Sequence, residues 1–190
     1  MQTTIFQRAH TLLELLVTLA FIGVLLSLAV PALAHILRQQ RANTAINSIA
    51  GAFQTARNSA ISLKVPVVFC AKQDDALCGR DWHNGALVFV DRNRNSVVDS
   101  GERVLTQLAA FPAGSTLRIS TFGNRQNLRF SAQGFLENYS AGNIVFCAVE
   151  GDARYARNVI FARMGRFRFG DDANHDGFNE DANGRALTCP

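Results

Sequence analysis

From Leu12 to Ala34 the chain is apolar at almost every position, with Glu14 as its one formal charge. A run of that length crosses a ~30 Å hydrocarbon core as a helix. The pattern then changes without breaking. Apolar residues recur every three or four positions, at Ile36, Leu37, Ala42, Ala45, Ile46, Ile49, Phe53, Ala56, Ala60, Ile61 and Leu63, giving the stripe of an amphipathic helix to about Leu63. Anchor and stem therefore read as one helix. Pro31 can kink it, and Gly51 weakens it locally by about 1 kcal/mol relative to Ala.

At Pro66 the period shortens. Short β-rich runs follow at Val65–Cys70, Ala86–Asp91, Val104–Leu108, Thr116–Phe122, Leu128–Ser131, Ile144–Ala148, Asn158–Arg163 and Arg166–Phe169, separated by Gly, Asn and Asp. The expected fold class is α+β: a long N-terminal helix, transmembrane and then amphipathic, packed on an antiparallel sheet. The expected organisation is a leader over 1–9, a membrane helix over 10–34, a stem helix over 35–64 and one β-rich head over 65–190. No internal repeat or low-complexity linker divides that head.

Composition agrees with one membrane-anchored domain. The chain has 190 residues, 18% of them charged, against the usual ~25%. Without the membrane segment about 150 residues remain, enough for one modest core. The net charge of +4 permits an anionic partner without requiring one. The leader Met1–Ala9 holds Arg8 and no acidic residue, so the positive-inside rule keeps it cytoplasmic and sends the remainder outward. A secretory signal would end in a shorter apolar region, whereas this one continues into Arg38, Gln39, Gln40 and Arg41.

Glu14 is out of place on physical grounds, because a carboxylate near the start of a membrane helix needs a compensating charge. One reading puts it in the headgroup region, beside the positive helix N-terminus. The run Ala9-His10-Thr11-Leu12-Leu13-Glu14-Leu15-Leu16-Val17, with Pro31 downstream, resembles the signal of type IV prepilins. The resemblance implies cleavage between Ala9 and His10 by a prepilin peptidase and N-methylation of His10. It also implies that Glu14 pairs with the terminal amine of an adjacent subunit and that Pro31 bends the helix. Ala9 and His10 stand where the family usually has Gly and Phe.

The middle of the chain narrows the resemblance. Cys70 and Cys78, then Gly79-Arg80-Asp81-Trp82-His83-Asn84-Gly85-Ala86-Leu87-Val88-Phe89-Val90-Asp91, are similar to the GspH/FimT branch of minor pilins and pseudopilins. The bland reading of the Trp-x-x-Gly is that Trp82 fills the core and Gly85 permits a turn. Four cysteines in a head expected to face the oxidising periplasm point to two disulfides. Of three connectivities, Cys70 with Cys78 and Cys147 with Cys189 is favoured, the first closing a short loop and the second pinning the tail. Zinc is the rival use, without a close Cys-x-x-Cys pair or a His cluster to support it.

Two acidic loops have oxygen ligands at the spacing Ca²⁺ takes. The first offers Asp91, Asn93, Asn95, Asp99 and Glu102, with Ser96 in the glycine position and Arg92 and Arg94 interleaved. The second offers Asp172, Asn174 and Asp176, keeps Gly177 and continues to Glu180, with Asn183 in the place of the last glutamate. The plainer reading of both is a polar turn. No cofactor is required.

Arg154, Arg157, Arg163, Arg166 and Arg168 surround Gly165, and Gly165-Arg166-Phe167-Arg168 matches the Gly-Arg-x-Arg motif of FimT-like pilins, where the motif is associated with DNA capture. On a strand Arg166 and Arg168 share one face and Phe167 the other. Binding through Arg163, Arg166 and Arg168 would be sequence-independent and salt-sensitive, while the plainer reading is a solvated face or a contact with a neighbouring pilin. An enzyme is not expected: His10, His35, His83 and His175 are scattered, and no nucleophile elbow or phosphate loop is present. The resulting expectation is a minor pilin of the inner membrane with a periplasmic head, priming or capping a filament of other pilins. The alternatives are a GspH-type pseudopilin of type II secretion and a DNA-receptor minor pilin for natural transformation.

Overall fold

The computed structural model describes residues 12–121, 127–137, 141–148 and 151–189. The leader Met1–Ala9, the Ala9/His10 junction and Phe122 lie outside the described residues. One helix, α1, runs from Leu12 to Leu63, and the chain divides into two compact units at Arg38/Gln39.

The first unit is the N-terminal part of α1. Its most apolar window has a mean hydropathy of 2.5 and is nowhere buried. Glu14 lies in the first turn, where the exposed N–H groups favour a carboxylate. Thr18 Oγ1 donates to the Leu15 carbonyl at 2.8 Å and Ser27 Oγ to that of Val24 at 2.7 Å, so the two hydroxyls are satisfied within the helix. Pro31 is accommodated without ending it.

The second unit begins with the remainder of α1. Ala42, Ala45, Ile46, Ile49, Ala50, Ala52, Phe53, Ala56 and Ala60 are its buried residues. The many alanines keep this face thin, so sheet residues reach close to the helix. Lys64 ends α1 in a left-handed conformation with φ 55°, and Pro66 prevents its continuation.

Among the described residues, nine strands follow in two antiparallel sheets. The first sheet contains β1 (Val67–Lys72), β2 (Cys78–Gly79), β3 (Ala86–Val90), β4 (Val104–Leu108) and β6 (Asn127–Phe130). β1 is central: β3 pairs along one edge, β6 and then β2 along the other, and β4 lies beyond β3. The second sheet has the order β5 (Thr116–Thr121), β7 (Gly142–Cys147), β8 (Arg157–Phe161), β9 (Phe167–Phe169). The expected antiparallel head is built of two sheets, because β6 leaves its neighbour β5 and returns to β1. Alternating hydrophobicity marks strands but not such long-range pairing. The two-residue β2 is too short to carry an alternating pattern in the sequence.

Alternation along β1 and β3 sorts the side chains. Val67, Phe69, Ala71, Val88 and Val90 join the helix in the main core, while Val68, Cys70, Leu87 and Phe89 form a second cluster under Val98 and Val104. Phe53 of α1 joins the sheets: its ring lies 4.9 Å from Phe130 of the first sheet, and 5.5 and 5.6 Å from Phe161 and Phe167 of the second. Trp82 is buried edge-on to Phe69 at 5.1 Å. Gly85, with φ 96°, has no room for a Cβ, which would lie 2.2 Å from the Leu108 carbonyl oxygen.

Phe53→Ala should lower the unfolding free energy of the detergent-solubilised chain by about 3–5 kcal/mol in urea melts. The half-exposed Leu63→Ala should cost under about 1 kcal/mol in the same assay.

Candidate functional site

The Arg-bearing hairpin is positioned by one glycine. Ala162 N–H donates to the Arg166 carbonyl at 2.9 Å and Gly165 N–H to that of Ala162 at 2.9 Å, closing the β8–β9 turn. Gly165 has φ 71°, and a Cβ there would fall 2.3 Å from the Gly134 carbonyl oxygen and 2.7 Å from Arg57 Nε. Arg57 Nε itself donates to Gly134 O at 3.2 Å, fastening α1 to the Gly134 turn, against which Gly165 packs.

With the turn fixed, alternation sets the chemistry of β9. Phe167 points to Phe53 in the core, and the neighbours Arg166 and Arg168 are exposed. Arg163 is also exposed. Arg168 lies 3.5 Å from Asp171, at the outer limit of an ion pair between two exposed groups, so that acid screens it weakly.

The other two arginines of the segment do different work. Arg154 pairs with Asp152 at 2.7 Å, and the hydrogen bond and charge of that carboxylate hold its pKa above the ordinary value. Arg157 donates to Asn43 Oδ1 at 2.9 Å and to the Arg154 and Ala156 carbonyls at 3.2 and 2.8 Å, and burial lowers its pKa. It tethers the stem helix to β8. The structure therefore sets the half-buried Arg157 apart from the exposed Arg154, Arg163, Arg166 and Arg168, of which Arg154 is paired with Asp152.

The cysteines form two bridges. Cys70–Cys78 fixes β2 against β1, and Cys147–Cys189 ties the tail to β7 across a sequence separation of 42. Among the described residues no cysteine is free.

The two acidic loops differ in what fills them. In the first, the fully buried Asp91 accepts Asn95 N–H at 3.0 Å and Ser96 N–H at 3.1 Å. Its other partner is Arg129 of β6, 2.9 Å away, which also donates to the Arg94 carbonyl and Ser96 Oγ at 3.0 Å. Asp99 accepts the side-chain amides of Asn93 and Asn95, and Glu102 accepts the Arg92 and Asp99 N–H groups. A guanidinium thus supplies the positive charge inside this loop. Sequence reasoning missed Arg129, whose only signal was a cation between the buried Leu128 and Phe130 of a short strand.

In the second loop Asp172, Asp176 and Glu180 each bring a carboxylate oxygen within 4.8 Å of the other two. Asp172 caps the Asp176 and Gly177 N–H groups at 3.0 and 2.9 Å, and Glu180 Oε2 accepts Ala173 N–H at 2.8 Å. Asn174 Oδ1 accepts Asp176 N–H at 2.9 Å.

Residues 45–165 match the family described as Type II transport protein GspH. No curated protein matches the chain. In fold it is similar to the type IV minor pilin FimU of Pseudomonas aeruginosa strain PAO1 in two crystal forms. The P21 form has 20% identity and a TM-score of 0.54, covering 73% of this chain and 92% of that one. The P65 form has 20% identity and a TM-score of 0.52, covering 70% and 92%.

Gly165→Ala should destabilise the chain by about 2–4 kcal/mol in thermal or urea melts, combining left-handed strain with the clash at Gly134.

Proposed function

Because this chain belongs to the GspH family and its long N-terminal helix packs on antiparallel sheets as in a pilin, it is a structural subunit of a type IV pilus or pseudopilus and not an enzyme, and we propose that it acts as a minor pilin that primes or caps the filament. The observation that carries this is the exposed apolar helix. Leu12, Leu13, Leu15, Leu16, Phe21 and Leu25 are each more than half exposed, and so continuous an apolar surface needs lipid or other apolar helices around it. Before assembly the inner membrane covers it and the head projects into the periplasm. In the filament the same surface packs against neighbouring pilin helices.

Glu14 gives that packing a register. Cleavage after Ala9 by a prepilin peptidase leaves an amine on His10, and a neighbour's amine compensates the carboxylate that lipid alone leaves costly. Pro31 supports this reading as a bend point, since it removes one helical hydrogen bond from the anchor. The mature membrane form should have lost Met1–Ala9 and gained one methyl group by intact mass. A mass that retains Met1 defeats the processing step.

The exposed Arg166 and Arg168 favour a second role for the same subunit, capture of DNA. Two arginines on one side of an extended segment, their Cα atoms about 7 Å apart, can meet backbone phosphates without reading bases. The detergent-solubilised full chain should bind double-stranded DNA at low salt and lose most of that affinity at physiological salt. The Arg166→Ala/Arg168→Ala variant should bind at least about tenfold more weakly and with a salt slope smaller by about 2. No binding by the parent at low salt removes this role. The family's description as a type II transport protein supports the remaining reading, a secretion pseudopilin, which shares the anchor and head and differs in the subunits found beside it.

A further inference from the structure

The geometry points to a calcium site in the C-terminal loop, held by Asp172, Asn174, Asp176 and Glu180. Three carboxylates that bring oxygens within 4.8 Å of one another repel unless a cation lies among them. Among the described residues, none of the ion pairs includes Asp172, Asp176 or Glu180.

Glu180 supplies the independent observation. Its side chain is only 6% exposed, yet Oε1 is buried without a hydrogen-bond partner. Its other oxygen is already engaged by Ala173 N–H. A buried carboxylate oxygen that lacks a donor is costly, and a hard cation satisfies it directly.

The spacing suits calcium. Asp172, Asn174, Asp176 and Glu180 fall at positions one, three, five and nine of a calcium loop, and Gly177, at φ 91°, takes the sixth. The first acidic loop is an internal contrast with the same spacing, and there Arg129 delivers the charge from a neighbouring strand. The second loop has the more complete glycine position and three converging acids. Asp172 and Asp176 remain toward solvent, so water completes a coordination sphere of six to eight oxygens.

Bound calcium rigidifies the segment that runs from β9 to the tail. Glu180 N–H donates to the Asp171 carbonyl, the Glu180 carbonyl accepts Asn158 Nδ2 of β8, and Leu187 N–H returns to the Asn179 carbonyl. The cation therefore adds a second clasp to a tail that Cys147–Cys189 already holds, next to the strand that presents Arg168.

The test is equilibrium dialysis of the chelator-treated, detergent-solubilised full chain against radioactive Ca²⁺, with melting followed by circular dichroism. One ion per chain should bind, with a dissociation constant on the order of 10⁻⁴–10⁻³ M, and the melting temperature should rise with Ca²⁺ and fall back with chelator. Asp176→Asn and Glu180→Gln should each weaken binding at least about tenfold, with Asp176→Asn melting no lower than the parent when Ca²⁺ is absent, since it relieves the carboxylate repulsion, which separates lost binding from lost fold. Asp99→Asn, in the first loop, should leave the titration unchanged. The assignment is overturned by no saturable uptake up to about 10 mM, by uptake that Asp176→Asn leaves unaltered, or by uptake that Asp99→Asn abolishes.

Discussion

Burial of Phe53 between two sheets is the contact on which the head depends. The first sheet reaches it through Phe130 and the second through Phe161 and Phe167, so one helical side chain stands where three strands converge. The alanines at 42, 45, 50, 52, 56 and 60 keep the rest of that face thin. Each sheet alone would leave an apolar face open, and the helix closes both at once. Phe167 lies in this contact, and its burial turns Arg166 and Arg168 outward. Packing in the core thereby decides which charges the surface presents.

The periphery is held by different means. Loops that lack an apolar core are closed by a disulfide, by a buried ion pair or by carboxylates that cap backbone N–H groups. Asp91 and Arg129 illustrate the second, with the carboxylate fully buried and the guanidinium nearly so. Removing Arg129 leaves the Asp91 carboxylate buried without its cation, which is far more damaging than the net worth of the pair suggests, whereas Arg129 also has Glu137 3.9 Å away. The same segment covers the outer face of the first sheet over Val68, Leu87 and Phe89.

Much of this was legible in the sequence because it is written in local periodicity. The change from a continuous apolar run to a three-and-four stripe and then to alternation located the helix, and eight of the strands lie within a residue or two of their expected positions. The division into two sheets was not legible, since β6 pairs with β1 across dozens of intervening residues. The arginine cluster shows the same limit. Sequence placed five arginines around Gly165, but only the fold reveals that Asp152 neutralises Arg154 and that Arg157 is spent on Asn43. Glu180 was visible only as the continuation of an acidic loop, and only the fold shows it buried and its backbone bridged to a tail residue, Ala186.

The central claim is that the exposed apolar helix packs against the helices of other pilin-like subunits. Photo-crosslinking from a reactive residue at Leu16, in cells that assemble filaments, tests it directly. Adducts with pilin-like subunits, reduced when Glu14 is replaced by Val, are the predicted result. Adducts with lipid alone under assembling conditions would contradict the account.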